Sequence, residues 1–230
     1  MKYAVVTGST RGIGYAIAKS LILNGYFVFL NGRNNFIPDF PDGTYMYIKA
    51  DVSTLEGVNT LADNILSKTN SIDSLVLNAG ATCRKKISDI SYKEWQAIMD
   101  INVNMPFFLI QRLMPIICEG GCILFIGSSM GVKPHCTSLP YGVSKSAVIS
   151  LAQNLVKELP GIRVNCICPG FVDTDWQSQK PQWLREKISS KIALKRFAEP
   201  DEIADMCIKV ISNTYINGSV VNVDGGYDMD

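Results

Sequence analysis

Short apolar runs alternate with longer amphipathic stretches from one end of the chain to the other, and this alternation limits the fold more than any other feature. "YAVV" leads into "GYAIAKSLILNG", "YFVFL" into the turn-rich "NGRNNFIPDFPDG", and "YMYIKA" into "LEGVNTLADNILSK". "SLVLNAG" leads into a long stretch from Ser91 to Cys118, and "CILFIG" into "YGVSKSAVISLAQNLVKEL". "IRVNCICPG" precedes an irregular polar segment and then "DEIADMCIKVIS", before "SVVNVDGG". Runs of this length next to glycine read as strands buried on both faces. The stretches between them have helical length and spacing. The pattern predicts an α/β fold: one doubly wound parallel β-sheet of about seven strands, flanked by helices on both sides. No linker, repeat or low-complexity segment interrupts it, so residues 1–230 read as a single domain.

Composition agrees with a packed core: 47% of residues are hydrophobic and 19% charged. A net charge of +1 offers no long-range attraction to nucleic acid or an anionic membrane. The cluster Arg84-Lys85-Lys86 reads as a solvated loop edge. No apolar run is long enough to span a bilayer, and "MKYAVVTG" lacks the features of a signal peptide. The seven cysteines show no Cys-x-x-Cys spacing and sit mostly among apolar residues. They read as reduced core residues of a cytoplasmic protein. With one histidine, His135, a histidine-based metal site is not expected.

"TGSTRGIG", Thr7 to Gly14, falls between the first strand and the first helix. Glycines there let the backbone turn sharply and approach a pyrophosphate, with its charge at a helix N-terminus. Alone, such a turn also reads as a tight strand-to-helix connection; its place in the first βαβ unit favours the dinucleotide. About 20 residues further on, an NAD site carries a carboxylate for the ribose 2′-hydroxyl. This chain has Asn31, Gly32 and Arg33 there and no acid. Arg33, with Arg11 in the glycine turn, suits a 2′-phosphate instead, which predicts NADPH/NADP+; two exposed arginines are the plainer alternative.

Tyr141 and Lys145 in "YGVSK" lie four residues apart, one helical turn on a shared face. A phenol loses its proton near pH 10, and an adjacent ammonium lowers that value. The pair is therefore either a tuned proton donor or a solvated surface pair.

The ordered motifs resolve this. "TGSTRGIG", "DV" at Asp51-Val52, "NAG" at Asn78 to Gly80, "IN" at Ile101-Asn102, "GSS" at Gly127 to Ser129, "YGVSK", "PGFVDT" at Pro169 to Thr174 and "NVDGG" cover nearly the whole chain. Together they resemble the short-chain dehydrogenase/reductase family, with Leu77 where the family usually has asparagine. The resemblance implies a Rossmann-type fold and a nicotinamide-dependent oxidoreductase. It implies Tyr141 as general acid, and Lys145 as the charge that tunes it and bonds the nicotinamide ribose. Ser128 orients the substrate carbonyl, with Ser129 the competing assignment, and Asn102 holds a water in a proton relay. Cofactor contacts carry over to Gly8, Thr10, Arg11, Gly12, Ile13 and Gly14, then to Arg33, Asp51, Val52, Asn78, Ala79 and Gly80. At the chemical end they fall on Tyr141, Lys145, Pro169, Gly170, Val172 and Thr174.

The closest resemblance is to 3-oxoacyl-acyl-carrier-protein reductases, through "IDSLVLNAG", "PGFVDTD" and "PDEIA". Sugar, steroid and other small-alcohol dehydrogenases share these motifs and remain open. Enoyl reductases space the tyrosine and lysine further apart. A catalytically silent NADP-binding regulator typically loses one of the two. The expected substrate is a small carbonyl compound or alcohol; a carrier-bound substrate is not favoured, because "ICEGG" and "KELPG" offer no clear basic patch, although Arg84 to Lys86 and Lys195-Arg196 could supply one from elsewhere. Residues 173–196, with Trp176 and Trp183, are expected to cover the substrate. The resemblance implies a tetramer, or a dimer, with contacts expected through the helices at Ser91–Cys118 and Tyr141–Leu159 and the C-terminal segment. Trp95 is expected to serve helix packing and the methionines the core, and His135 either lines the substrate pocket or sits in a loop.

Overall fold

Seven strands carry the apolar runs: β1 (Lys2–Val6), β2 (Tyr26–Gly32), β3 (Tyr45–Lys49), β4 (Ile72–Leu77), β5 (Ile117–Ile126), β6 (Arg163–Pro169) and β7 (Val220–Val223). The structure is a computed structural model that describes residues 1–134, 138–178 and 180–227. Among these residues the strands form one sheet in the order β3-β2-β1-β4-β5-β6-β7, with every pairing parallel.

The helices are α1 (Gly12–Leu23), α2 (Leu55–Leu66), α3 (Tyr92–Met99), α4 (Met105–Leu113), α5 (Ser129–Val132), α6 (Leu139–Glu158), α7 (Asp175–Ser178), α8 (Gln182–Lys191) and α9 (Pro200–Ser212). Successive strand residues point to opposite faces, and both faces are covered. Val5, Phe29, Leu75, Ile123 and Phe125 pack with residues of α2, α4 and α6. Their neighbours Ala4, Val6, Val28, Leu30 and Leu124 pack with α1 and α9 on the other face. Two-sided burial is why the strands read as unbroken apolar runs rather than alternating ones. Each fully buried Leu or Phe stabilises the fold by about 1.5–3 kcal/mol relative to leaving it exposed.

Between Ser91 and Cys118 the chain forms several short elements. Ser91 caps α3 with a capping box to Glu94, a π-helical turn spans Asp100–Asn104, and α4 ends at Leu113. A single 3₁₀ turn follows at Met114–Ile116, where Pro115 lacks the N–H to extend the helix. Ile117 and Cys118 already belong to β5, where Ile117 pairs with Ile72 before the register shifts.

The cysteines also divide. Cys122, Cys166, Cys168 and Cys207 are buried, Cys83 and Cys118 are only half-buried, and Cys136 lies outside the described residues. Trp95 is half-buried on α3. His135 lies outside the described residues. Among the described residues no helix is long and apolar enough to cross a membrane.

The chain runs β1-β2-β3 toward one edge, then returns to build β4 to β7 on the other side of β1. This reversal opens a crevice at the carboxyl ends of β1 and β4, where open α/β sheets place their ligands.

Candidate active site

The glycine turn forms the floor of that crevice. Gly12 has φ +54°, in the left-handed region that favours glycine. At Gly14 a side chain would collide with the Gly8 carbonyl and the Asn78 amide, so the turn can close only around glycine. Asn78 ties the turn across the sheet: its Nδ2 donates to the carbonyls of Thr7 at 2.9 Å and Gly8 at 3.0 Å. The amides of Asn78 and Ala79 both donate to Thr7 Oγ1, at 3.0 and 3.1 Å. α1 begins here with no acidic residue in its first turn, which leaves its positive end available to an anion.

Asn31 is fully buried at the end of β2. Its Nδ2 donates to the carbonyls of Ala50 at 3.0 Å and Ile48 at 3.3 Å, and its Oδ1 accepts from the Gly8 amide at 3.4 Å. The residue nearest the expected carboxylate therefore holds β2, β3 and the glycine turn together. Arg33 follows, exposed on the cleft wall. The segment after it is pinned by the Tyr47 hydroxyl on the Asn34 carbonyl and by Lys49 Nζ on Asn35 Oδ1 at 3.1 Å. Arg11 is 3.9 Å from Asp175, with both side chains more than 70% exposed, a weak pair in water.

At the other end Ser128 leaves β5 buried, with its Oγ accepting from the Met130 amide at 3.2 Å. Burial pushes the Tyr141 phenol above its usual value, and the neighbouring Ser128 hydroxyl pulls it back in part. Lys145 Nζ lies 5.7 Å from the Tyr141 ring centroid and donates to the Ile126 carbonyl at 2.7 Å. Burial lowers its pKa to about 8. The expected lowering of the tyrosine by the lysine is not among the influences on the phenol in this conformation: desolvation dominates it, and the ammonium is engaged by a backbone carbonyl.

Asn102 sits in the π-helical turn, where the widened backbone turns its amide away from its own helix. Nδ2 donates to the Ala81 carbonyl at 3.0 Å and Ser144 Oγ at 2.8 Å, and Oδ1 accepts from the Ala81 amide at 3.0 Å. It braces the loop after Gly80 against α6 from behind.

These ends enclose one cleft of about 500 Å³. Of the sequence-derived residues, Gly8, Thr10 to Gly14, Arg33, Asp51, Val52, Asn78 to Gly80, Ser128, Tyr141, Lys145, Pro169, Gly170, Val172 and Thr174 line it, and Asn102 does not. Ser129 starts α5 outside the cleft. Trp176 lines the cleft with its ring 6.3 Å from that of Tyr141, whereas Trp183 on α8 is 64% exposed and lines none of it. Sequence reasoning missed Phe36 and Gln177 as lining residues. Gln177 Oε1 is buried without a partner, and no motif marks a position in so short a helix.

Residues 8–228 match the family model described as "Enoyl-(Acyl carrier protein) reductase". The chain is 33% identical to the 3-oxoacyl-[acyl-carrier-protein] reductase FabG of Chlamydia muridarum, over 98% of this chain and 96% of that protein. The chain belongs to the short-chain dehydrogenase/reductase family. Another relative is the meso-2,3-butanediol dehydrogenase of Serratia marcescens, 29% identical over 98% of this chain and 94% of that protein. Among solved structures, the Pseudomonas aeruginosa RhlG/NADP active-site complex superposes with a TM-score of 0.89 at 29% identity, covering 99% of this chain and 96% of that one. As a short-chain dehydrogenase/reductase, the protein is an oxidoreductase acting on alcohol and carbonyl groups.

Proposed function

We propose that this enzyme is an NADPH-dependent carbonyl reductase, reversible as an alcohol dehydrogenase, with Tyr141 as general acid and base. The reading rests on one cleft that brings Ser128, Tyr141 and Lys145 together with the glycine turn. The residues fit the cofactor: the glycine turn and α1 N-terminus face a pyrophosphate, Asp51 and Val52 an adenine, and Arg33 a 2′-phosphate. Pro169, Gly170, Val172 and Thr174, with Ala79 and Gly80, would wall the nicotinamide end. When bound, the nicotinamide supplies or accepts the hydride. Ser128 Oγ and Tyr141 Oη together hold the carbonyl oxygen, and the Tyr141 proton passes to that oxygen as the alcohol forms. Lys145 holds the ribose and returns positive charge to the phenol, while Asn102 keeps the loop beside it in place and feeds the proton relay.

NADPH is favoured because Asn31 is consumed by backbone hydrogen bonds and Arg33 faces the cleft without an acid beside it. Relatives named for 3-oxoacyl-carrier-protein and butanediol chemistry both fit the reading, so small carbonyl compounds and thioesters are the substrate range. Residues 173–196 would close over the substrate through α7. The outer faces of α4 and α6, which expose Phe107 and Val143, would join copies into a tetramer or dimer.

Nucleotide binding and NADPH oxidation against a panel of ketones, acyl thioesters, sugars and steroids test this function. Arg33→Ala should weaken NADPH about tenfold or more, the worth of a charge-assisted hydrogen bond, and leave NADH nearly unchanged. Equal losses for both nucleotides would assign the arginine to the fold or the shared phosphates.

A further inference from the structure

Among the described residues two buried side-chain atoms have no hydrogen-bond partner, Ser74 Oγ and Gln177 Oε1. Ser74 is fully buried in β4, in the middle of the sheet, and lines no part of the cleft. Gln177 does line the cleft. Its neighbours Asp175, Trp176 and Ser178 are exposed, as one short turn at the surface should be, yet its side-chain oxygen is withdrawn from water. A glutamine on such a turn can hydrate that oxygen by rotating outward, and a covered acceptor without a donor carries its full desolvation cost.

The turn that carries Gln177 is fixed in place. The Asp173 amide donates to the Ala198 carbonyl at 2.8 Å, and the Asp173 carboxylate meets Arg185 at 2.8 Å, whose guanidinium lies 4.6 Å from the Phe197 ring centroid. The Gln177 amide donates to the Thr174 carbonyl at 2.8 Å, and the Gln177 carbonyl accepts from the Lys180 amide at 3.0 Å. The backbone of Gln177 is thus satisfied inside the segment, and only the side-chain oxygen is left over. From Thr174 onward the chain passes from the glycine turn to the phenol. A side chain at Gly12 would meet the Thr174 methyl group at 3.2 Å, Asp175 is 3.9 Å from Arg11, and the Trp176 ring is 6.3 Å from that of Tyr141. Gln177 comes next, at the reacting end.

We propose that Gln177 is a specificity residue that accepts a hydrogen bond from a hydroxyl of the substrate other than the reacting oxygen, so that the preferred carbonyl compounds are hydroxyketones and the preferred alcohols diols. This substrate class rests on the carbonyl-reductase reading above. A second carbonyl or an ether cannot supply the missing donor, and a hydroxyl can. A hydroxyl also answers either end of the amide, since it donates to Oε1 and accepts from Nε2. A substrate without the donor leaves the oxygen as unsatisfied as before, and a substrate with it removes a standing cost. A site built around such a group separates a hydroxyl compound from its blocked analogue, which a purely apolar wall does poorly.

The test pairs 1-hydroxy-2-butanone, 4-hydroxy-2-butanone and 5-hydroxy-2-pentanone with their methyl ethers, as substrates with NADPH. Each ether keeps the oxygen and loses the donor. In the best pair the hydroxyketone should have a kcat/KM about tenfold or more higher, the worth of a hydrogen bond to an otherwise unsatisfied group. In Gln177→Leu that ratio should fall several-fold, mainly through KM. The free variant should melt no lower than wild type, because it loses an acceptor that had no partner. A lower melting temperature would assign the side chain to the fold and overturn the proposal. A variant that keeps the hydroxyketone ratio but loses NADPH affinity in a nucleotide titration would assign the oxygen to the cofactor, and would overturn it too. Equal kcat/KM for hydroxyketones and ethers in wild type would overturn the proposal and leave the carbonyl-reductase reading standing. No turnover of any compound would count against that reading. Quenching of tryptophan fluorescence by 4-hydroxy-2-butanone, compared with its methyl ether, then decides the hydroxyl site: tighter binding of the hydroxyketone that is lost in Gln177→Leu supports it, and equal or absent binding overturns it.

Discussion

Burial works against the proton transfer that Tyr141 is placed to make. Taken out of water, its phenol holds the proton more tightly, and only the neighbouring Ser128 hydroxyl and the more distant Arg84 charge pull the other way. Replacing Tyr141 with Phe keeps the ring against Trp176 and removes the proton. Turnover should fall by about 10²–10⁴-fold with NADPH affinity retained, as single-turnover kinetics and nucleotide titration would show. Near-normal turnover would remove Tyr141 from the role.

Lys145 carries a different signature. Its folded pKa is lowered to about 8 from 10.5, so between these values the unfolded chain binds a proton that the folded protein has released. Stability from this residue therefore rises with pH from about 8 to about 10 and is least below 8. Thermal melts without added nucleotide should show wild type gaining on Lys145→Met across that window. Parallel curves would mean that the ammonium is solvated.

At the scale of elements, three local devices set the site. The α3 capping box fixes where the helix starts, and so where its π-helical turn brings Asn102 to Ala81 and Ser144. Ser91→Ala should cost about 1 kcal/mol, read as a lower melting temperature, with Glu94 left unable to complete the box alone. The glycine turn is less forgiving: Gly14→Ala sets a methyl group against the Gly8 carbonyl and Asn78. It should weaken NADPH and NADH alike, because both share the pyrophosphate; a loss confined to one nucleotide would contradict this. The capping box and the glycine spacing stand openly in the sequence. The π-helical turn does not, since one extra residue in a helical turn leaves the apolar pattern almost unchanged, and its partners Ala81 and Ser144 lie about 20 and 40 residues away.

For the whole molecule, the cleft joins both halves of the sheet, so a nucleotide that fills it stabilises every element it touches. NADPH at about 100 times its Kd should raise stability by about 2.7 kcal/mol, and NADH at the same concentration by less. A larger melting shift with NADH would reverse the cofactor assignment. The alternation of apolar runs and amphipathic stretches was enough to determine a parallel, two-sided sheet, because only two-sided burial makes unbroken apolar strands stable. The ordered short motifs, Ile101-Asn102 apart, were enough to determine which residues meet at the cleft, because each lies at a strand's carboxyl end or on α6. Tertiary structure alone decided that Asn31 serves the fold, that Lys145 faces a carbonyl, and that β5 begins at Ile117. Each of these depends on a partner distant in the chain, and a side chain's hydrogen bonds and charge neighbours are set by where the backbone brings those partners, not by the residues beside it.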